Sequence, residues 1–473
     1  MSQLPVSEGE RLLAEILRGV KRRYRLEGLP EVSDEINNPL HCANQLAVVI
    51  ELARRSLATG QEPGPGLRQR FVQGLRTLLR DAMQPAAGDP SYQALVLRHR
   101  SGVVQEYVAL AVQQAQDSRR LQGILNAFAH PAKLVRMPAG RLKEQLTVLQ
   151  AHVEAGRWSQ AASQVTELLG ETGGATDAIA PAVAAGLERM QQDTSLLRLQ
   201  RLEVLSREPD VQRYRELWER QGPPANSHAA HQNGVEGKLR GNNVETMTKQ
   251  ALQGLADYLN AHAEGEPYRV VTAMYVPAAL AAHQEGGKTE WDAVLLKQVT
   301  ATSTRAEPGR ETAEDAVWEV SLLVEAKVSP DSVATDFPRL LRGLTVLAQA
   351  DAGRNYAFKA REGNFLLRGS QLATLPTDAD TLGGTVLYTS DAPADRNPRL
   401  LSAAARMQLM SSTEGIACAI ALAEGRPANE RELETLWAQL LHAPQWQAVL
   451  QQYHTICRAR ALMVHVDDLV PPA

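Results

Sequence analysis

The apolar residues of this chain change period part-way along, and that change limits what it can fold into. In residues 8–220 they recur every three or four positions, the spacing of one helix face. "ERLLAEILRGVKRRYRL" sets Leu12, Ile16, Val20 and Tyr24 four apart, and "NQLAVVIELARRSLA" and "LRQRFVQGLRTLLRDAM" follow the same rule. Loops at 60–66 ("GQEPGPG") and 84–90 ("QPAAGDP") separate them. Aromatic residues make up only 4% of the chain, so Leu, Val and Ala must fill its interior, which favours helices. "LQAHVEAGRWSQAASQVTELL" at 149–169 resembles one tetratricopeptide-type helix pair, with no second copy at a fixed period. Residues 170–182 read as a linker or long loop. Residues 183–220 read as one long exposed helix or a short coiled coil.

Beyond a Gly-, Pro-, Asn- and His-rich stretch at 222–243, the pattern is different. Val244, Met247, Ala251, Leu255 and Leu259 predict one helical stripe. "PYRVVTAMYVP" (267–277), "WDAVLLKQV" (291–299), "VWEVSLLVEAKV" (317–328) and "GTVLYTS" (384–390) are β-branched runs that predict strands. "DFPRLLRGLTVLAQA" (336–350) predicts a helix with Pro near its first turn. The polar run at 300–316 predicts a hairpin extension or mobile loop, and 397–463 returns to helices. The order of the central part is thus α, β, β, β, α, β, and the fold class is mixed, α+β or α/β. The predicted organisation is a helical region at 1–221 for recognition or assembly, a linker at 222–243, a domain at 235–392, and C-terminal helices at 393–473 that pack on its core.

Several classes are excluded or left without support. No basic segment followed by an apolar core opens the sequence, and no apolar run approaches the ~18 residues of a membrane span. Cys42, Cys418 and Cys457 are odd in number and far apart, which points to reduced thiols in the cytoplasm. Residues 1–220 carry 28 Lys and Arg against 25 Asp and Glu, and only Lys21, Lys133 and Lys143 of those cations are lysines. Arginine suits phosphate, but most of these fit solvated helix faces better. There is no Walker loop, no GxGxxG after a strand and no GxSxG elbow. "HAAH" at 228–231 lacks a Cys or acidic partner at zinc-site spacing and reads as an exposed loop.

The third strand ends unusually. In "SLLVEAKVSP" (321–330) Glu325 and Lys327 lie two apart, so a strand points both to one face. Asp292 heads the preceding strand, and a hairpin between the two strands brings it to Glu325. Paired carboxylates repel, and a divalent cation with hard oxygen ligands relieves that repulsion, Mg²⁺ or Mn²⁺ above all. Taken singly, each residue has a plain alternative: a solvated ion pair, a turn Asp, or, for Glu245, an acid near a helix start.

"EWD…VEAK", the αβββαβ order around it, and Glu245 in "RGNNVETMTK" together resemble the PD-(D/E)XK nuclease superfamily, whose common core is restriction-endonuclease-like, over 235–392. Trp291 stands where the family name has Pro. The resemblance implies Glu245, Asp292 and Glu325 as metal ligands, with the Ala326 carbonyl as a further one, and Lys327 as the catalytic lysine. The cofactor implied is Mg²⁺ or Mn²⁺, and the substrate is nucleic acid, DNA ahead of RNA. Arg339 and Arg342 are candidates for phosphate contact, with a surface role as the alternative. A protein partner is expected on the N-terminal helices, and no membrane. The function expected is a metal-dependent nuclease. The alternative is a non-enzymatic helical scaffold carrying an inactive nuclease-like domain.

Overall fold

A computed structural model describes residues 7–29, 39–170, 180–222, 228–263, 267–281, 286–299, 316–395, 397–427 and 429–471. The chain is a mixed α+β protein with a helical N-terminal region and one sheet. It forms two compact units, and neither is continuous in sequence. One comprises Met1–Leu78, Ala225–Ser412 and Asn429–Ala473; the other comprises Leu79–Pro224 and Thr413–Ala428. One cut, between Pro224 and Ala225, falls inside the boundary predicted at 222–243; the other cuts differ from the prediction, and packing explains why. The first helix, α1 (Glu8–Gly19), belongs with the sheet. Its Leu13, Ile16 and Leu17 share a core with sheet residues Leu295, Leu322 and Val324. Conversely, the C-terminal helix Thr413–Ala423 belongs with the helical unit, where Tyr92 Oη donates to the Gly415 carbonyl at 3.2 Å.

The α1 helix begins with a capping box, Ser7 and Glu10 satisfying each other's backbone N–H groups. Glu10 also accepts from the buried Lys297 ammonium at 2.7 Å, which pins the helix to the sheet. Leu13, Ile16, Leu17 and Val20 are all buried there. Each such side chain contributes about 1.5–3 kcal/mol, so together they rival the ~5–15 kcal/mol stability of a whole domain. A chain that starts at residue 29 is expected to lose its cooperative melting transition by circular dichroism. A sharp transition close to that of the intact protein would contradict this docking.

Among the described residues the sheet has seven strands: β1 (Tyr268–Tyr275), β2 (Glu290–Val299), β3 (Val317–Ala326), β4 (Asn355–Ala360), β5 (Gly363–Arg368), β6 (Val386–Ser390) and β7 (Met463–His465). β1, β2 and β3 form an antiparallel meander, and β6 and then β7 add in parallel beyond β3. The β4–β5 hairpin, not expected from sequence, joins β3 to β1, so β2, β1, β4, β5 and β3 close into a five-stranded barrel. One residue of β1 leaves the extended region. Ala273 has φ 49, and the ladder leaves it and Asp292 unpaired between Thr272↔Ala293 and Met274↔Trp291 without a change of register. The hairpin turn holds the backbone beside it: Glu362 accepts from the Thr272 N–H and hydroxyl, at 2.7 and 2.9 Å, and the Arg361 N–H donates to the Thr272 carbonyl at 2.9 Å.

Two long helices cover opposite faces. On one lies α2 (His228–His262), through Leu252, Leu255, Ala256 and Leu259. On the other lies α3 (Val333–Ala348), through Val333, Phe337, Leu340, Leu344 and Leu347. α3 starts three residues before its predicted start, after a 3₁₀ turn at Pro330–Ser332, so Pro338 is inside the helix. α2 runs through most of the expected linker; its 228–243 part is helical, which also corrects the reading of "HAAH" as a loop. Extending a packed helix is easier than nucleating one. Asn260 then exchanges hydrogen bonds with the Tyr268 backbone and hands the chain from α2 to β1.

In the helical unit, Arg141–Glu154 and Trp158–Gly170 form the predicted helix pair. Residues 183–220 are three helices rather than one long one: Pro181–Gln192, Thr194–Leu205 and Pro209–Glu219. Asp193 caps the second, and Pro209 opens the third. Several arginines here bond to carboxylates instead of standing free: Arg198 with Asp117, Arg120 with Asp193, and Arg201 with Glu106. The central stretches at 171–179 and 300–315 lie outside the described residues. Among the described residues no helix is long and apolar enough to cross a membrane.

Candidate active site

The site is built where β2, β3 and β6 meet. β3 pairs with β6 in the register Glu325↔Tyr388 and Ala326↔Thr389, and the Lys327 N–H carries the ladder one residue further to the Thr389 carbonyl at 2.8 Å. On the other edge Ala293 faces Val324, so Asp292 stands beside Glu325. Asp292 Oδ2 accepts the Ala326 N–H at 2.9 Å. The sequence places these two carboxylates together, and so does the fold. Glu325 and Lys327 also share one side of β3: Lys327 Nζ is 3.3 Å from Glu325 Oε2.

Glu325 is fully buried. Its Oε2 is held by Lys327 and by Lys288, whose ammonium makes a close contact with it. Among the described residues its Oε1 is buried without a hydrogen-bond partner, which is costly for a carboxylate. Burial, and then the neighbouring Asp292 carboxylate, push the Glu325 carboxyl up to about 8; the two ammonium groups pull the other way without cancelling this. Lys327 reaches Asp336 Oδ2, also at 3.3 Å, and that oxygen accepts the Tyr388 hydroxyl at 3.1 Å. Burial alone would lower the Lys327 pKa. Glu325, Asp336 and Asp292 outweigh it and hold the ammonium above its ordinary range. Lys327 is therefore a fixed cation at neutral pH and not a base.

The raised carboxyl has a measurable consequence for the metal-free protein. Unfolded, Glu325 ionises near 4.5; folded, near 8. Between these values the folded state binds the proton more tightly, so stability falls as pH rises from about 4.5 to about 8 and the loss is complete above that. Glu325→Gln cannot ionise and is expected to remove that part of the slope. Urea midpoints at acidic and mildly alkaline pH, compared between the two proteins, measure it. Parallel pH dependences would show that Glu325 ionises in its ordinary range.

Glu245 is less closely placed. It is an exposed residue well inside α2, not in its first turn, because that helix begins at His228. Burial and then Asp292 raise its pKa, so it shares the field of the site. Among the described residues no three His, Cys, Asp or Glu side chains close on a common point. Arg339 and Arg342 lie on the exposed side of α3, and Arg342 Nε donates to the Gly286 carbonyl at 3.0 Å.

Sequence reasoning missed four contributors. Lys288 precedes β2 in the polar turn "GGKTE", where nothing separates it from a solvated lysine. Asp336 is one helical turn from Arg339, and Tyr388 and Thr389 read only as strand residues. Thr389 Oγ1 lies 2.7 Å from Thr248 Oγ1 of α2 and 3.4 Å from the Glu325 carbonyl, a buried hydroxyl pair beneath the site. Spacing in sequence shows none of these, because all depend on how α2 and α3 cross the sheet. No protein-family model, no curated protein and no solved structure matches the chain.

Proposed function

We propose that this chain is a divalent-cation-dependent phosphodiesterase that cuts nucleic acid, DNA ahead of RNA, at the end of β3. One observation carries the reading: a fully buried Glu325 carboxylate with an unpartnered oxygen, beside Asp292 and next to a lysine fixed as a cation. That donor set fits a hard cation, which would supply the missing partner of Oε1 and neutralise the paired carboxylates. Glu325, Asp292 and the Ala326 carbonyl would hold Mg²⁺ or Mn²⁺, with Glu245 within reach of the same field. Further support comes from the strand order β1–β2–β3–β6 with α2 and α3 on opposite faces. On our reading this order resembles the restriction-endonuclease-like αβββαβ core of the PD-(D/E)XK superfamily. On this reading the β4–β5 hairpin is an addition to that core.

When bound, the cation supplies Lewis-acid stabilisation of the phosphate and an acidified water. The chain's own residues do the rest. Lys327, held between Glu325 and Asp336, presents positive charge to a phosphate oxygen as negative charge develops there. Asp336, itself fixed by Tyr388, orients that ammonium. Arg339 and Arg342 are placed to meet the backbone of the bound strand, and the helical unit recruits substrate or a protein partner.

The Lys288 contact favours a second reading, in which an internal ammonium has replaced the cation and the domain binds nucleic acid without cutting it. Labelled single- and double-stranded DNA and RNA, incubated with Mg²⁺ or Mn²⁺ and with a chelator, separate the two. Cation-dependent cleavage supports the phosphodiesterase. Binding without cleavage in every condition supports the scaffold.

A further inference from the structure

We infer that Lys288 is an internal counter-cation that competes with the divalent ion for Glu325 and so sets the concentration at which the site loads. The inference rests on the proposed cation-dependent function. Its basis is the way Lys288 is housed. Its side chain is 7% exposed, and its ammonium contacts the fully buried Glu325 Oε2. An ammonium so deep in the fold needs a built environment, and one is present. Gly343 of α3 makes room for it: a Cβ at that position would lie 2.8 Å from the Lys288 Cβ and 3.3 Å from its backbone nitrogen and oxygen. The ammonium also lies 5.8 Å from the centre of the Trp291 ring, within cation–π range.

Lys288 and Lys327 converge on one oxygen of Glu325 and leave the other bare. Lys327 has a second anchor in Asp336. The ion pair of Lys288 is with Glu325. A divalent cation at Glu325 would sit against the Lys288 ammonium, and like charges at such a distance repel. Loading therefore moves Lys288 off Glu325, while Lys327 stays on Asp336. In the cation-free protein the same contact offsets part of the repulsion between Glu325 and Asp292, which keeps the empty site folded. Two lysines at one carboxylate thus have different tasks: Lys327 faces substrate, and Lys288 governs occupancy.

The test is a Mn²⁺ titration of the full chain, with free Mn²⁺ followed by electron paramagnetic resonance. Wild type, Lys288→Met, Lys288→Gln and Asp292→Asn are compared. Gln keeps a hydrogen-bond donor toward Glu325 without the charge, and it serves if the Met variant does not fold. Removing one like charge is expected to tighten Mn²⁺ binding by about tenfold or more, the equivalent of one pK unit. Asp292→Asn should bind weakly or not at all. If the Lys288 variants bind Mn²⁺ no tighter than a wild type that does bind, the inference is overturned and the cation-dependent function stands. If the wild type and all variants fail to bind, both fall.

Discussion

Lys327→Ala is expected to cut nucleic acid about 10²–10³-fold more slowly than wild type, the effect of removing one well-placed electrostatic group. Its Mn²⁺ binding should be kept and, with one of the two ammonium groups on Glu325 Oε2 gone, tightened; its melting temperature should stay close to wild type. The reason lies in what remains. Glu325 keeps Lys288, Asp336 keeps the Tyr388 hydroxyl, and Asp292 keeps the Ala326 N–H. What is lost is the charge aimed at substrate, with its ion pairs to Glu325 and Asp336. Cleavage rates under single-turnover conditions, run beside a melting curve, measure this. Wild-type rates in the variant would reduce "VEAK" to a structural ion pair. So would collapse of the variant into an unfolded chain.

Asp292→Asn is expected to abolish cation-dependent cleavage and to raise the melting temperature of the cation-free protein at mildly alkaline pH. Two effects compete at this position. The carboxylate accepts the Ala326 N–H, and leaving that donor unpaired would cost about 1–3 kcal/mol. The same carboxylate destabilises the Glu325 anion. Alanine removes both effects and should be near neutral or destabilising. Asparagine keeps an acceptor and removes only the charge, so the repulsion is relieved without the loss. Mn²⁺ should raise the melting temperature of wild type but not of Asp292→Asn. A lower melting point for Asp292→Asn without cation would mean that Asp292 is a structural anion.

The core of this account was legible where apolar contrast is strong. β1, β2, β3 and β6 are dense in Val and Leu, and their order alone brings Asp292, Glu325 and Lys327 together. β4 and β5 escaped because "NYAFKA" puts an alanine outward at Ala357 and another inward at Ala360, which blurs the alternation. β7 has only three residues. The first half of α2 is rich in Gly and Asn, poor helix formers, and reads as linker. The three-way break of 183–220 was present in the sequence, in Asp193 before a helix start and in Pro209 at the next. The long polar faces around them concealed it. The cut at Pro224 was legible in the Gly- and Pro-rich stretch around it, but the place of α1 was not, since it joins the sheet across more than two hundred residues of chain. Nor was the role of Lys288, because a buried lysine and a solvated one look alike until the fold closes over one of them.

Crystals of the full chain soaked in Mn²⁺, with data collected at an energy where manganese scatters anomalously, test the central claim most directly. The account predicts one anomalous peak at about 2.1–2.2 Å from carboxylate oxygens of both Glu325 and Asp292, as hard-cation coordination requires. Lys288 Nζ should be withdrawn from Glu325, with Lys327 still on Asp336. No peak at this position, with Lys288 still against Glu325 at saturating Mn²⁺, would contradict it.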